Sequence, residues 1–381
     1  MVMSNYNGET VIAEVESLLL GDAHVVRIHL EDGTTGIGQS AFWGYPAAIH
    51  AMMEYFRPAL IGEDGMRREH IAQLLYRMGP FRGAALSAAV AAVDIALWDI
   101  VGKRMGVPVW QLLGGRVRDR VRLHKLIDGM TPETILAECV EAAEMGFTAV
   151  KFDPVPSDYF DLTTVALVGQ IRDVVGEVRA ALPATDLILE LHRKFTPAQA
   201  IAVGRTVGDF DLAFWEDPIQ IDTMTTQVAV AEAVGLPIGL GERFHTVWEF
   251  REFLEQGAVH FVRPDVGLAG GISGVRKIAV LAEAHHSALS LHNCLGPLLT
   301  AATLHVDVAI PNFSSQDYTL LDEGLTDFTT GGPVRDGGFL LLPEAPGLGI
   351  ELVEDPQPQQ LVARRIHEVP IRGDGSPAYS V

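Results

Sequence analysis

Five short stretches decide the fold: LILELH (187–192), AFWEDP (213–218), IGLGER (238–243), HFVRPD (260–265) and LSLHN (289–293). Each is a brief apolar run that closes on a titratable residue: Glu190, Glu216, Glu242, Asp265 and His292. Successive members stand 26, 26, 23 and 27 residues apart. The series extends backwards to Lys125 in RLHKLI and Lys151 in AVKF, 26 apart, and forwards to Asp317 in FSSQD, 25 beyond His292. A strand of about five residues, a helix of about twelve and two short loops fill such a step. Each step is therefore one β/α unit. Eight such units predict a parallel (β/α)₈ barrel, which gathers the ends of its strands around one mouth.

Working outward, residues 1–50 read as a β-meander: TVIAEVESLLL and AHVVRIHLEDG are followed by TGIGQSAFWGY, with a turn at Glu31-Asp32-Gly33. From Pro46 to about Gly106 the apolar residues recur at helical spacing, in AAIHAMMEYF, REHIAQLLYRM and the alanine-rich run from Ala84 to Gly102. Pro108 and Gly114-Gly115 end that region. The expected organisation is an α+β capping domain over 1–120, the modified barrel over 121–320, and a Gly- and Pro-rich segment, 321–381, returning to the capping domain through PVRDGGFLLLP. Inside the barrel, Thr131-Pro132 and Thr196-Pro197 are helix starts, with threonine as cap and proline in the first turn. The step from Lys151 to Glu190 is 39 residues and requires a longer connection. Gly270-Gly271 opens a helix whose first amides could face an anion. His285 and His286 are expected inside that helix, as structural residues.

Composition narrows the function. A formal charge of −21 argues against nucleic acid as a partner. The most apolar run, 84–102, is interrupted by Asp94 and Asp99, so a buried helix is expected in place of a membrane span. The start, MVMSNYNGET, has no basic segment followed by an apolar one, and the two cysteines, Cys139 and Cys294, lie far apart. A cytoplasmic enzyme without disulfides is the expectation.

Glu190, Glu216 and Glu242 end three consecutive strands, about 5 Å apart, so their carboxylates can converge on one hard cation. All-oxygen ligation favours Mg²⁺ over zinc. Asp265 and His292 follow on the next two strands; a carboxylate beside an imidazole fixes its tautomer and makes it a base. Two residues past Glu190, on what the strand period makes the same face, stands His192: a fourth ligand, a core residue or an acid, the acid being favoured. Lys151, with Asp153 two positions later, could bind a substrate carboxylate or be a plain surface lysine.

The chain resembles the enolase superfamily, in its mandelate racemase subgroup, and specifically its acid-sugar dehydratases. The matching stretches are AVDIALWDIVGKRMGVPVWQLLGG (92–115), ELHRKFTP (190–197), FWEDP (214–218), GER (241–243), RPDVGLAGGISGVRKIA (263–279) and LHNCLGPLLTAA (291–302). The resemblance implies one essential Mg²⁺ on Glu190, Glu216 and Glu242, and a proton-abstracting pair in Asp265 and His292. It also implies an eighth-strand acid, Asp317, facing the substrate carboxylate, and assembly into a homo-oligomer. Two departures stand out. The first metal ligand is usually aspartate and here is Glu190; the racemases carry Lys-x-Lys on strand two, where this chain reads Lys151-Phe152-Asp153. The second departure disfavours racemisation by two bases. The expected activity is dehydration of a sugar acid to a 2-keto-3-deoxy acid. Lys151 would hold the carboxylate, His292 would take the C2 proton, His192 would protonate the leaving hydroxyl, and a loop bearing Phe42, Trp43 and Tyr45 would close over the polyol. A single-base isomerase or cycloisomerase, or a catalytically silent sugar-acid-binding relative, are the alternatives.

Overall fold

The computed structural model describes residues 8–20, 23–41, 45–319, 328–354, 356 and 369–379. Its first part is an antiparallel meander of β1 (Ile12–Leu20), β2 (Ala23–Leu30) and β3 (Thr35–Ser40). Four helices follow: α1 (Pro46–Leu60), α2 (Arg68–Met78), α3 (Ala84–Met105) and the short α4 (Val109–Leu112). The helix α3 is long and apolar enough to cross a membrane, yet 89% of its apolar window is buried inside the protein. It lies so close under β3 that a Cβ on Gly38 would meet Ala92 O at 2.0 Å, and one on Gly36 would meet Ala96 O at 2.2 Å. Only glycine permits that approach.

The barrel follows in strict alternation. Its strands are β4 (Arg120–Leu126), β5 (Ala149–Phe152), β6 (Asp186–Glu190), β7 (Phe214–Glu216), β8 (Ile238–Leu240), β9 (Phe261–Val262), β10 (Ala288–Leu291) and β11 (Phe313–Tyr318). Neighbours pair in parallel, and β11 pairs with β4, which closes the sheet. Between them run α5 (Pro132–Glu144), α6 (Thr164–Ala181), α7 (Pro197–Val207), α8 (Met224–Val234), α9 (Val247–Glu255), α10 (Gly271–Ala284) and α11 (Pro297–Ala309). Thr131 and Thr196 cap α5 and α7 as the Thr-Pro pairs predict, each accepting from the amide three residues on. The long step comes from the loop between Phe152 and α6, together with the 18 residues of that helix.

Three local expectations are corrected. His285 and His286 lie past the end of α10, where His286 adopts a left-handed turn (φ 56°). The anion at the start of α10 is internal: Asp94 of α3 accepts from Ser273 N at 2.9 Å, so a capping-domain carboxylate satisfies this helix end. PVRDGGFLLLP does not return to the capping domain. It forms a hairpin, β12 (Thr329–Gly331) being followed by β13 (Arg335–Asp336) and β14 (Phe339–Leu341), and β14 pairs with β4 at the end opposite the mouth. The next stretch makes the return: Leu348 N donates to Asp99 Oδ1 at 2.9 Å, Lys103 pairs with Glu351 at 2.7 Å, and β15 (Ile350–Leu352) pairs with β12.

Asp94 and Asp99, the two charges that interrupt the α3 sequence, thus tie that helix to the barrel and to the C-terminal segment. Asp99 also accepts from Ile37 N at 3.0 Å and pairs with Lys103 at 2.8 Å. The capping domain meets the barrel at its mouth. Gln39 Nε2 donates to Leu295 O at 2.7 Å and Ala41 N to Gly267 O at 2.9 Å, placing the end of β3 beside the loops that carry Asp265 and His292.

Candidate active site

The barrel brings Glu190, Glu216 and Glu242 together, with one ligand oxygen from each within 4.8 Å of the others. Glu190 and Glu216 end β6 and β7, and Glu242 lies two residues past β8. A carboxylate triad this close is unstable by itself, and three buried cations offset it. Lys151 Nζ stands 3.4 Å from Glu190 Oε2, 3.0 Å from Glu216 Oε2 and 3.1 Å from Asp317 Oδ1. Arg263 bridges Glu216 and Asp317 and donates to Ser290 O and Oγ, both at 2.9 Å. Arg193 pairs with Asp217 and stands 2.9 Å from Glu242 Oε1. Burial pushes the Glu216 carboxyl up to about 7 against the pull of Arg263. Burial also raises Glu242, but Arg193 and then His292 outweigh it and hold that carboxyl below the usual range. Converging hard oxygens, each backed by a fixed cation, suit a divalent ion that takes oxygen ligands.

Two imidazoles flank the triad. His292 follows β10, the seventh barrel strand, and its Nδ1 lies 2.6 Å from Asp265 Oδ2; Asp265 Oδ1 accepts from Gly267 N at 2.7 Å. The other ring nitrogen, Nε2, faces Glu242 at 3.7 Å and Cys294 Sγ at 3.6 Å. Burial lowers the proton affinity of His292, but Cys294, Glu242 and Asp265 together raise it well above the usual value.

His192 follows β6, the third strand, half-way round the barrel from His292. It does not lie on the strand face: His192 and Arg193 both adopt left-handed conformations (φ 49° and 60°). This turn lets Glu190 Oε1 accept from His192 N at 2.9 Å and sends the ring to Asp153 Oδ2, 2.7 Å from Nδ1. Asp153 is also paired with Lys194 and accepts from Val155 N at 2.9 Å. Burial disfavours the charged imidazole, while Glu190 and Asp153 outweigh it and raise its proton affinity. The site therefore holds two Asp–His pairs, one on each side of the carboxylates.

The remaining predicted residues are placed as follows. Lys151 is 2% exposed and lies beneath the triad, not in the mouth. Asp317 lies within β11 with no exposed surface, shared by Arg263, Lys151 and His124 Nε2. Tyr45 immediately precedes α1 and is half exposed, while Phe42 and Trp43 fall outside the described residues. Strand-end spacing assigns no role to Arg193, Asp217, His124 or Arg263, and places Asp153 only by its face. Arg263 has a usable signal: it directly follows the short strand β9, two positions before Asp265, and its side chain pairs inside the barrel with Glu216 and Asp317. Arg193 has none, because its direction comes from the turn after Glu190.

The enolase C-terminal domain-like family model matches residues 134–356, and the mandelate racemase/muconate lactonizing enzyme N-terminal domain matches 17–114. The chain is 34% identical over 348 residues to a D-galactonate dehydratase of Verminephrobacter eiseniae, covering 86% of this chain and 88% of that one. It is 32% identical over 354 residues to the D-galactonate dehydratase of Ralstonia pickettii, covering 91% of each. A crystal structure of an enolase from Agrobacterium radiobacter, with sodium and L-malate bound, superposes with a TM-score of 0.91 at 28% identity, over 97% of this chain and 100% of that one. The 3,6-anhydro-D-galactonate cycloisomerase of Zobellia galactanivorans gives 0.80 at 26% identity, over 90% and 97%. The chain belongs to the enolase superfamily, in its mandelate racemase/muconate lactonizing enzyme subgroup. Within that subgroup it stands among the acid-sugar dehydratases, which makes it a carbon–oxygen lyase.

Proposed function

We propose that the protein is a Mg²⁺-dependent dehydratase of an aldonate, with D-galactonate the first candidate, and that it forms the 2-keto-3-deoxy acid. The names of its relatives support the substrate class. The observation that carries the mechanism is the pair of Asp–His couples on opposite sides of the carboxylate triad, His292 with Asp265 and His192 with Asp153.

Glu190, Glu216 and Glu242 would hold the ion. Mg²⁺ in that place supplies the positive charge that stabilises the enediolate of a substrate carboxylate. Asp265 accepts from Nδ1 of His292 and so keeps Nε2 free to take the C2 proton. Glu242 stands 3.7 Å from Nε2 and favours the protonated ring; an ion held by Glu242 would offset that charge and so favour the basic form of His292. His192, held by Asp153 and favouring its protonated form, delivers a proton to the C3 hydroxyl, which leaves as water. The resulting enol takes a proton at C3 and becomes the ketone. Lys151 and Asp317, both buried, serve by orienting the triad and Arg263, in place of the direct substrate contact their strand positions suggest.

A cycloisomerase reading uses the same base, and the fold shared with the Zobellia galactanivorans enzyme favours keeping it as the second possibility. Incubating the enzyme and Mg²⁺ with a panel of aldonic acids and measuring 2-keto-3-deoxy acid tests the proposal. Turnover of an aldonate supports it, and a cyclic or isomeric product with no loss of water overturns it.

A further inference from the structure

Residues 369–379 lie on the side of the barrel that carries Asp153 and His192. They form a closed hairpin: Ala378 N donates to Pro370 O at 2.8 Å, Arg372 N to Ser376 O at 2.9 Å and Gly375 N to Arg372 O at 2.8 Å. Arg372 Nη1 adds a bond to Pro377 O at 2.6 Å. This element carries its own internal bonds, so it docks as a formed piece. It docks on the loop between β5 and α6. Gly373 N donates to Asp161 Oδ1 at 3.1 Å, and the Tyr159 hydroxyl donates to Tyr379 O.

That loop begins at Asp153, and Tyr159 faces back towards it. Lys194 Nζ stands 5.6 Å from the centre of the Tyr159 ring and pairs with Asp153. Lys194 and His192 share one oxygen, Asp153 Oδ2. A contiguous line therefore runs from the terminal hairpin through Tyr159 and Lys194 to Asp153 and His192. With its ring face held beneath the ammonium, Tyr159 keeps Lys194 on the carboxylate and out of water. Freed from the hairpin, the ring can turn, Lys194 can follow it into solvent, and Asp153 loses one of the contacts that fix its rotamer.

We propose that the C-terminal hairpin is a positioning element of the active site, which holds Asp153 and thereby His192 through Tyr159 and Lys194. The proposal rests on the assignment of His192 as the acid made above. It gives residues 369–379 a role in elimination and none in proton abstraction, because His292 and Asp265 lie across the barrel and touch none of these groups.

The test measures two reactions of one substrate in D₂O: formation of 2-keto-3-deoxy acid, and exchange of the C2 hydrogen. Three variants are compared with wild type: a chain ending at residue 368, Tyr159→Phe, which loses only the bond to Tyr379 O, and His192→Asn as reference. The truncated enzyme should lose at least about tenfold in dehydration and keep C2 exchange within about twofold. A synthetic peptide of residues 369–381 should restore it. Tyr159→Phe should show the same split to a smaller degree, and it reports even if the truncated chain fails to fold. Dehydration within about twofold of wild type in both variants overturns the proposal, as does an equal fall of both reactions that the peptide does not reverse. The reference separates two failures. If His192→Asn shows the split and the hairpin variants do not, the hairpin proposal alone is wrong. If His192→Asn dehydrates normally, the assignment of the acid has failed and the proposal falls with it.

Discussion

His192 Nδ1, just past the third barrel strand, lies 2.7 Å from Asp153 Oδ2, just past the second, while the other histidine, His292, follows the seventh strand and is held by Asp265. In the proposed mechanism this arrangement separates the two halves of an elimination in space, with His292 taking a proton, His192 giving one and the carboxylate triad between them.

Asp153→Asn removes the acceptor that orients His192. Dehydration should fall by about 10² to 10⁴ while exchange of the C2 hydrogen survives. Product assay and proton NMR on one sample give both rates. Equal losses would mean that His192 serves the triad instead of the leaving group.

Metal dependence follows from the triad. EDTA should abolish activity and Mg²⁺ should restore it. Mg²⁺ at about a hundred times its Kd should stabilise the fold by about 2.7 kcal/mol, read as a rise in Tm. Glu216→Gln should remove both the activity and that rise. Full activity after exhaustive chelation would contradict the assignment.

Arg263 bears on the fold as well as the site, because it spans Glu216 and Asp317 with no exposed surface. Arg263→Met leaves two buried carboxylates short of a partner. A loss of about 3–5 kcal/mol in urea unfolding is expected. A loss below about 1 kcal/mol would show that Lys151 and His124 suffice.

Asp94 gives a pH-dependent prediction. Burial pushes its carboxyl up to about 6 from 3.8, against the bond from Ser273 N and the charge of Arg68. Below about pH 4 both the folded and unfolded chains hold the proton and there is no penalty. Between about pH 4 and 6 the unfolded chain releases it first, so folding loses stability as pH rises, and the loss is complete above about 6. Asp94→Asn removes the titration. The stability of the variant relative to wild type should therefore rise from pH 4 to pH 7, by on the order of 3 kcal/mol. A flat difference would show that Asp94 is ionised throughout.

Most of the barrel was legible because the spacing of strand ends is a property of chain length alone: a strand, a helix and two loops occupy nearly the same number of residues each time. Glu190, Glu216, Asp265 and His292 could be placed on that ground. The charges beneath them could not. Lys151 and Asp317 carry the same spacing signal as the mouth residues, yet their side chains point into the barrel and pair with Arg263, a direction that spacing does not encode. His192 shows the opposite case. Strand alternation assigned it to the right side of the site for the wrong reason, since two left-handed residues aim the ring. The role of Asp153 and the docking of residues 369–379 depend on contacts between segments far apart in sequence, across 39 residues from Asp153 to His192 and 220 from Tyr159 to Tyr379. No local pattern carries those.

The proposed mechanism stands on His292 as the base. It is tested most directly by incubating His292→Asn and wild type, each with Mg²⁺, in D₂O with the aldonate that wild type turns over fastest. Wild type should form the 2-keto-3-deoxy acid with deuterium at C3. His292→Asn should form no product and leave the C2 hydrogen of the recovered substrate in place. Deuterium at C2 of substrate recovered from His292→Asn would show that another group removes the proton and would contradict the account.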